Sequence, residues 1–254
     1  MIGVVGGGLM GSGIAEVAAR GGSDVMLVEA DDAQASAAAD RIATSLARAV
    51  KSGRLTQDDA DAALARITAT TDWPRLSGAE IIIEAVSENP AIKADVFTRL
   101  DEITRGSTTI LASNTSSLPI AQLAAHTSCP ERVIGMHFFN PVPVLTLVEI
   151  VPSILTSPET IAAVRALATE RMGRVVIEAK DRAGFVVNVL LVPYMFSAIR
   201  MFEAGHATAE DIDTGMVKGC AHPMGPLALS DLVGLDTLAA IGDVLFAEYS
   251  DPSC

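Results

Sequence analysis

The sequence predicts an α/β domain followed by an all-α domain. The first observation behind this is a set of short runs rich in Val and Ile, apolar at nearly every position, that alternate with longer Ala-rich stretches up to about residue 180. Strands that are apolar throughout are those of a parallel sheet covered on both faces, and strands alternating with helices imply right-handed crossovers. The second observation is that no further strand-like run follows Lys180. Only helix-like segments remain, broken at Gly205, at Gly219 and between Pro223 and Pro226. The boundary is therefore placed at 179/180, dividing the chain into 1–179 and 180–254. The third is composition. Half of the 254 residues are hydrophobic, yet only seven Phe, two Tyr and one Trp are present, so the core is aliphatic and ample for folding.

In order, strands are expected at 2–5, 25–29, 81–84, 109–112 and 133–136, then at 144–151 and 174–178, with a helix at 158–172 between the last two. About fifty residues separate the second and third strands, too many for one crossover helix or a structureless loop. Residues 33–52 read as one helix, Ser52-Gly53-Arg54 as a turn, and 56–69 as a second helix opened by Thr56 with Asp59 three positions on. The economical solution is an antiparallel helical hairpin projecting from the sheet.

The net charge of −13 argues against a general nucleic-acid binder, which needs a basic surface to neutralise phosphates. It limits bulk partners and not pockets. Cys129, Cys220 and Cys254 are far apart and odd in number, which is neither a disulfide framework nor a metal-ligand pattern. The first strand starts at Ile2 and leaves no room for a leader. The most apolar stretch, 185–199, is interrupted by Asn188 and Pro193 and is shorter than the roughly 20 residues a bilayer span requires. A cytoplasmic protein without a membrane segment is expected.

Gly6, Gly8 and Gly11, with Leu9 and Met10 between the last two, form a GxGxxG turn between the first strand and an apolar helix. In that setting Gly6 permits the turn, Gly8 lets backbone approach a pyrophosphate, Gly11 allows close packing, and the helix N-terminus offers N–H groups to the anion. Glu29, at the end of the second strand, is placed to accept hydrogen bonds from ribose hydroxyls and to repel a 2′-phosphate, and no Arg follows it in Ala30-Asp31-Asp32. The pattern predicts a Rossmann-like fold binding NAD in preference to NADP. A glycine turn without nucleotide is the alternative.

Two further segments follow strands at their carboxyl ends, SNTSSL at 113–118 and HFFNP at 137–141. Glu149 lies on a strand apolar on both sides, so it is expected to be buried and to need a partner. The turn at 140–143 returns the chain, which can bring Glu149 beside His137 as an acid–imidazole pair. A core histidine beside a structural ion pair fits the same pattern equally well. Arg41, Ser45, Arg48 and Ser52 share one helix face, with Lys51 and Arg54 adjacent and no acid from 41 to 54, which suits either a phosphorylated ligand or a solvated surface.

The ordered segments VGGGLMGSGIA, IIIEAVSEN, ASNTSSLPI, HFFNPVPVLTLVEI, GFVVNVLLVPYMFSAIRM and HPMGPLALSDLVGLDT resemble the 3-hydroxyacyl-CoA dehydrogenase family from residue 2 to about 252. The resemblance implies oxidation of a 3-hydroxyacyl-CoA, short-chain in the 3-hydroxybutyryl-CoA type, by NAD in fatty-acid oxidation or short-chain CoA metabolism. It implies that His137 is the general base, that Glu149 orients it, and that Ser116 and Asn188 hold the substrate. Glu88, Lys93, Asn114 and Asn140 become cofactor contacts, and Ser45, Arg48, Lys51 and Ser52 contacts to CoA. Read without the family, Ser116 is a plain helix cap and Asn188 an apolar-helix polar residue needing some partner. A homodimer through the helical domain is also implied. Ala183 and Val189 stand where many relatives have Pro and Arg. Relatives continue past the position of Pro252, so the helical domain is expected to be incomplete here. Two other activities are compatible with the motifs, a dehydrogenase of a free 3-hydroxy or sugar acid and a non-catalytic, NADH-binding structural protein.

Overall fold

The structure, a computed structural model, describes residues 1–251; Cys254 and the expected short end of the chain lie outside them. Ile2–Val5 (β1), buried at every position, leads through the glycine turn into Leu9–Arg20 (α1), whose residues from Gly11 to Ala19 are buried. Val25–Val28 (β2) follows, then Asp32–Lys51 (α2). α2 is opened by the Asp31 carboxylate, which accepts from Gln34 N–H at 2.8 Å. Its apolar stripe, Ala35, Ala38, Ile42, Leu46 and Ala49, recurs at intervals of three and four. Gly53, at φ +71°, ends it with the left-handed residue that helix C-termini favour.

Gln57–Ala65 (α3) is capped by the Thr56 hydroxyl, which accepts from Asp59 N–H at 3.1 Å. The inner faces of α2 and α3 join the core through Ile42, Leu46, Ala60 and Ala63, packed with Ile14, Val17 and Leu27. Residues 51–54 are the exposed far end of the hairpin. The helix expected over 56–69 stops at Ala65. Ile67–Thr70 is instead a strand (β3) pairing parallel with β2. Its two Thr and one Ile favour extended backbone, and the open edge of β2 supplies the hydrogen bonds that a helical continuation would otherwise make.

A 3-10 turn at Trp73–Gly78 leads to Ile81–Glu84 (β4), then Pro90–Ile103 (α4), Ile110–Ser113 (β5) and Ile120–Ala124 (α5). Val133–Phe138 (β6) is longer than the expected 133–136, because Leu147–Pro152 (β7) pairs antiparallel along it and carries His137 and Phe138 into the sheet. β7 begins at Leu147 and not at 144, since the loop from Pro141 turns the chain first. Pro158–Ala166 (α6) widens into a π turn over Leu167–Arg171, and Val175–Glu178 (β8) closes the sheet edge parallel to β7. Among the described residues the sheet order is β3-β2-β1-β4-β5-β6-β7-β8. β3 to β6 are parallel, the doubly wound arrangement that gathers its ligand loops at the strands' carboxyl ends.

The chain divides after Asp181. The second unit holds Val187–Glu203 (α7), Ala209–Thr214 (α8), Pro226–Val233 (α9) and Leu235–Tyr249 (α10). Val192, Met195, Leu238 and Leu245 form its buried centre, and Gly242 admits the Phe196 ring where a Cβ would stand 2.5 Å from it. Asp213 caps α9 by accepting from Leu227 and Ala228 N–H at 2.8 and 2.9 Å. Among the described residues no helix is long and apolar enough to cross a membrane, and no group of three or more His, Cys, Asp or Glu could hold a metal ion.

Candidate active site

The glycine turn is shaped by contacts that leave no room for side chains. A Cβ on Gly11 would lie 1.7 Å from the Gly6 carbonyl oxygen, and Gly6 itself adopts φ +90° against the Ala85 carbonyl. Gly8 differs: it is exposed, has an ordinary φ of −62°, and a Cβ there would meet nothing within 4 Å. The fold does not need glycine at this position. Gly8 is also the N-cap of α1 without a side-chain cap, so the helix start faces open space with Leu9 and Met10 beside it. A nucleotide pyrophosphate needs such a cradle, so the residues present fit NAD.

Both sides of the Gly7 peptide are held. Its N–H donates to Glu29 Oε1, and its carbonyl accepts from Ser12 Oγ at 2.7 Å and from Arg41 Nη1 at 2.9 Å. Glu29 also accepts from Ala30 N–H, at 3.3 Å. Arg41, expected on a phosphate-facing patch, is thus tied to the glycine turn. Ser45 and Arg48 line a groove of about 640 Å³ between α1, α2 and Asn140–Pro143, together with Leu9, Ser12 and Glu16. Lys51 and Ser52 lie outside it, and Ser52 Oγ donates to the Ala49 carbonyl at 3.0 Å as the helix ends.

At the next parallel strands, three ionisable side chains meet. Glu84, fully buried at the end of β4, accepts from Lys93 Nζ and Val86 N–H, both at 2.7 Å, and from Ser113 Oγ at 2.6 Å. Lys93, on α4 and 1% exposed, also lies 3.3 Å from Glu88 Oε2. The other Glu88 oxygen accepts from Thr115 Oγ1, Ser116 N–H at 2.9 Å, and Ser117 Oγ and N–H at 2.9 and 3.2 Å. Burial alone would push the Glu88 carboxyl up. The Lys93 charge and the donors of Thr115, Ser117 and Ser116 outweigh it and hold the group below the ordinary carboxylate range. Ser116 therefore sits on a turn clasped by a carboxylate. The sequence gives Glu84, Ser113, Thr115 and Ser117 no individual role; its signals are the acid closing the apolar run IIIE and the segment SNTSSL after a strand.

His137 and Glu149 are directly opposed in the β6–β7 register, with Nδ1 2.7 Å from Oε2 and Glu149 fully buried. The Phe139 ring lies against the imidazole at 4.6 Å between centroids. Asn114 Oδ1 accepts from Phe138 N–H at 2.9 Å, so this residue ties the end of β5 to the strand that carries His137. Asn140 precedes a cis peptide to Pro141, and Arg174 Nη1 donates to the carbonyls of Val142 and Leu145 at 3.2 and 3.1 Å, holding the return loop. Asn188 stands on α7 of the second unit, half-buried. Chemically, the arrangement offers an imidazole whose Nδ1 faces a buried carboxylate, a helix-start anion cradle, and hydroxyl groups at the carboxyl edge of one sheet.

Residues 1–182 match the 3-hydroxyacyl-CoA dehydrogenase NAD binding domain, and residues 184–254 match the C-terminal domain of the same enzymes. A 3-hydroxybutyryl-CoA dehydrogenase of Mycobacterium tuberculosis is 52% identical over 251 residues, 99% of this chain and 88% of the relative. A probable 3-hydroxybutyryl-CoA dehydrogenase of Bacillus subtilis is 45% identical over 248 residues, covering 98% of this chain and 86% of that one. The crystal structure of M. tuberculosis FadB2 superposes with a TM-score of 0.97 at 52% identity, over 99% of this chain and 88% of that chain. That of the (S)-3-hydroxybutyryl-CoA dehydrogenase PaaH1 from Ralstonia eutropha does so with 0.94 at 45% identity, over 99% and 88%.

Proposed function

This chain belongs to the 3-hydroxyacyl-CoA dehydrogenase family, and we propose that it interconverts (S)-3-hydroxyacyl-CoA and 3-oxoacyl-CoA with NAD, using His137 and Glu149 as its acid–base pair. The observation that carries the reading is the buried 2.7 Å contact between His137 Nδ1 and Glu149 at the carboxyl edge of the sheet. NAD, held by the Gly6–Gly11 turn, would supply the nicotinamide that accepts the hydride leaving C3 of the substrate. Glu149 accepts a hydrogen bond from Nδ1–H, which puts the lone pair on Nε2, where His137 takes the proton of the substrate's C3 hydroxyl as hydride departs. The imidazolium formed is stabilised by the carboxylate beside it. Ser116 Oγ offers a hydrogen bond to the C3 oxygen. Glu29 accepts from the ribose hydroxyls of NAD and disfavours the 2′-phosphate of NADP.

The substrate class is a CoA thioester of short acyl chain, the four-carbon one first. Ser45 and Arg48, in the groove beside α1, are assigned to the carrier, and so are Lys51 and Ser52, which stand outside the groove at the end of α2. Residues 1–179 act as the cofactor domain and 180–254 as the substrate and dimer domain. The exposure of Leu190 (71%) and Leu232 (69%) in the helical unit supports a homodimer formed there. A cytoplasmic location fits the activity and its soluble substrates.

The test is NADH consumption with acetoacetyl-CoA. Turnover with NADH, much slower turnover with NADPH, and a His137→Gln variant that loses kcat while keeping NADH affinity are expected. Retained turnover in that variant would sink the role of His137. Free 3-hydroxybutyrate in place of its CoA ester separates a free-acid dehydrogenase from this reading. NADH binding without any turnover would mark a structural protein. Asn188→Ala tests the assignment of that amide to the substrate, and sedimentation the dimer.

A further inference from the structure

We propose that Glu88 is a positioning residue for Ser116, acting on the substrate side of the site through the turn it clasps; this rests on the reading of Ser116 as a substrate contact. Five donors converge on Glu88 Oε1: the hydroxyls of Thr115 and Ser117, the N–H groups of Ser116 and Ser117, and the Ser116 hydroxyl at 3.4 Å. A carboxylate oxygen enclosed in this way by successive backbone N–H and hydroxyl groups is the anion of a small nest, and the nest is the turn itself. Its removal leaves the turn's donors without an acceptor. The 3.4 Å bond to Ser116 Oγ is long, so the hydroxyl keeps the freedom to turn towards a ligand oxygen while its backbone stays pinned.

The clasp is itself anchored. Glu88 Oε2 faces Lys93, and Lys93 is buried against Glu84. Glu84 in turn accepts from Ser113 Oγ, which accepts from Thr115 N–H at 3.1 Å. The two carboxylates share one ammonium and grip the Ser113–Ser117 turn at both ends. Two of three charged members are almost fully buried, so the clasp has a rigid base. The Asn114 link to Phe138 N–H ties the same turn to the strand of His137. Thus Glu88 sets where Ser116 stands relative to the imidazole. Most of its hydrogen bonding is spent on the turn, which a residue serving only to touch a cofactor would not need.

The experiment is a double-mutant cycle of Glu88→Gln and Ser116→Ala, with acetoacetyl-CoA kinetics and NADH binding by fluorescence as separate readouts. Glu88→Gln leaves one amide oxygen but removes the charge and sets an NH2 group against either the Lys93 ammonium or the turn's own donors, so the clasp loosens. The kcat/KM for acetoacetyl-CoA is expected to fall by on the order of 10²-fold, as misplacement of a substrate-orienting group does. NADH affinity is expected to stay within about threefold of the parent, and the same substitution made in Ser116→Ala to add little, because its route is already gone. A loss of NADH affinity as large as the loss in kcat/KM overturns the proposal. So does full additivity of the two substitutions, or parental kinetics in Glu88→Gln. If that variant fails to fold, Thr115→Val, which removes one donor and leaves the charges, carries the same cycle. Turnover by the parent is the control: its absence removes the proposed function, whereas turnover with an additive cycle removes only this assignment.

Discussion

Glu149 stands directly across the β6–β7 ladder from His137, its Oε2 2.7 Å from the ring Nδ1 and its side chain shielded from solvent. The contact is a consequence of register. Cross-strand partners in an antiparallel pair share a face, so a slip of one residue would turn Glu149 to the other side of the sheet. Glu149→Gln keeps the shape and an acceptor for Nδ1 but removes the charge that stabilises the imidazolium. The expected result is a fall in kcat on the order of 10²-fold, at the lower end of what acid–base catalysis contributes, with unchanged NADH affinity. Steady-state reduction of acetoacetyl-CoA beside an NADH titration checks it.

Gly8 and Gly11 should respond to the same substitution in opposite ways. Ala at Gly11 would drive a Cβ to 1.7 Å from the Gly6 carbonyl, so the turn must open and stability falls. Ala at Gly8 meets no protein atom within 4 Å at an ordinary φ. Gly8→Ala should therefore keep the parental melting temperature and lose about tenfold or more in NADH affinity, as expected where backbone must approach a pyrophosphate. Thermal denaturation without cofactor, then NADH binding, separates fold from ligand.

Arg48 lines the groove that we assign to the CoA carrier, and its side chain is exposed. An exposed charge pair contributes about 1 kcal/mol or less, so Arg48→Ala should raise the KM for acetoacetyl-CoA roughly fivefold and leave that for NADH unchanged. The difference from the parent should shrink as salt is added, because exposed charges are screened. Kinetics at two ionic strengths decide the matter.

Glu88 provides a pH dependence with a definite sign. Its carboxyl is held below the ordinary range of about 4.5, because Lys93 and the Thr115, Ser117 and Ser116 donors outweigh burial. The unfolded chain therefore binds this proton at a higher pH than the folded one. The stabilisation is complete above the unfolded value, declines as pH falls below it, and is gone below the folded value. Urea unfolding of the parent and of Glu88→Gln should differ at pH 6 and converge as the pH is lowered into the acid range. A difference that grows on acidification would contradict the assignment.

Lys93 tests the base of the same cluster. With 1% exposure and Glu84 2.7 Å away, Lys93→Met would leave a buried carboxylate without its counter-charge. Breaking one side of a buried pair costs about 3–5 kcal/mol, so a large drop in the urea midpoint is expected. Lys93→Arg, which keeps the charge but enlarges the head, should fall between.

Much of the fold and part of the site could be read locally. Apolar runs at β1, β2 and β4, the three- and four-residue spacing of Ala35 to Ala49, and the Thr56 cap all express short-range periodicity and hydrogen bonding. The glycine turn and Glu29 were legible because backbone geometry restricts which residues can stand there. β3 was not, because Ile67–Thr70 is extended only where the edge of β2 is available to pair with it. His137 and Glu149 were legible as candidates, but a core histidine fitted their spacing as well.

By itself the sequence determined the order of strands and helices apart from β3, the nucleotide turn and the residue types of an acid–base pair. These depend on residues within a few positions of one another, or on the resemblance of whole segments. The tertiary structure alone decided which groups touch: Glu149 opposite His137, Arg41 on the Gly7 carbonyl, and Glu88 around the Ser116 turn. Those partners are 12, 34 and 28 residues apart. Their contacts come from sheet register and from strands that are neighbours in space but not in sequence, and side-chain chemistry alone cannot specify such neighbours.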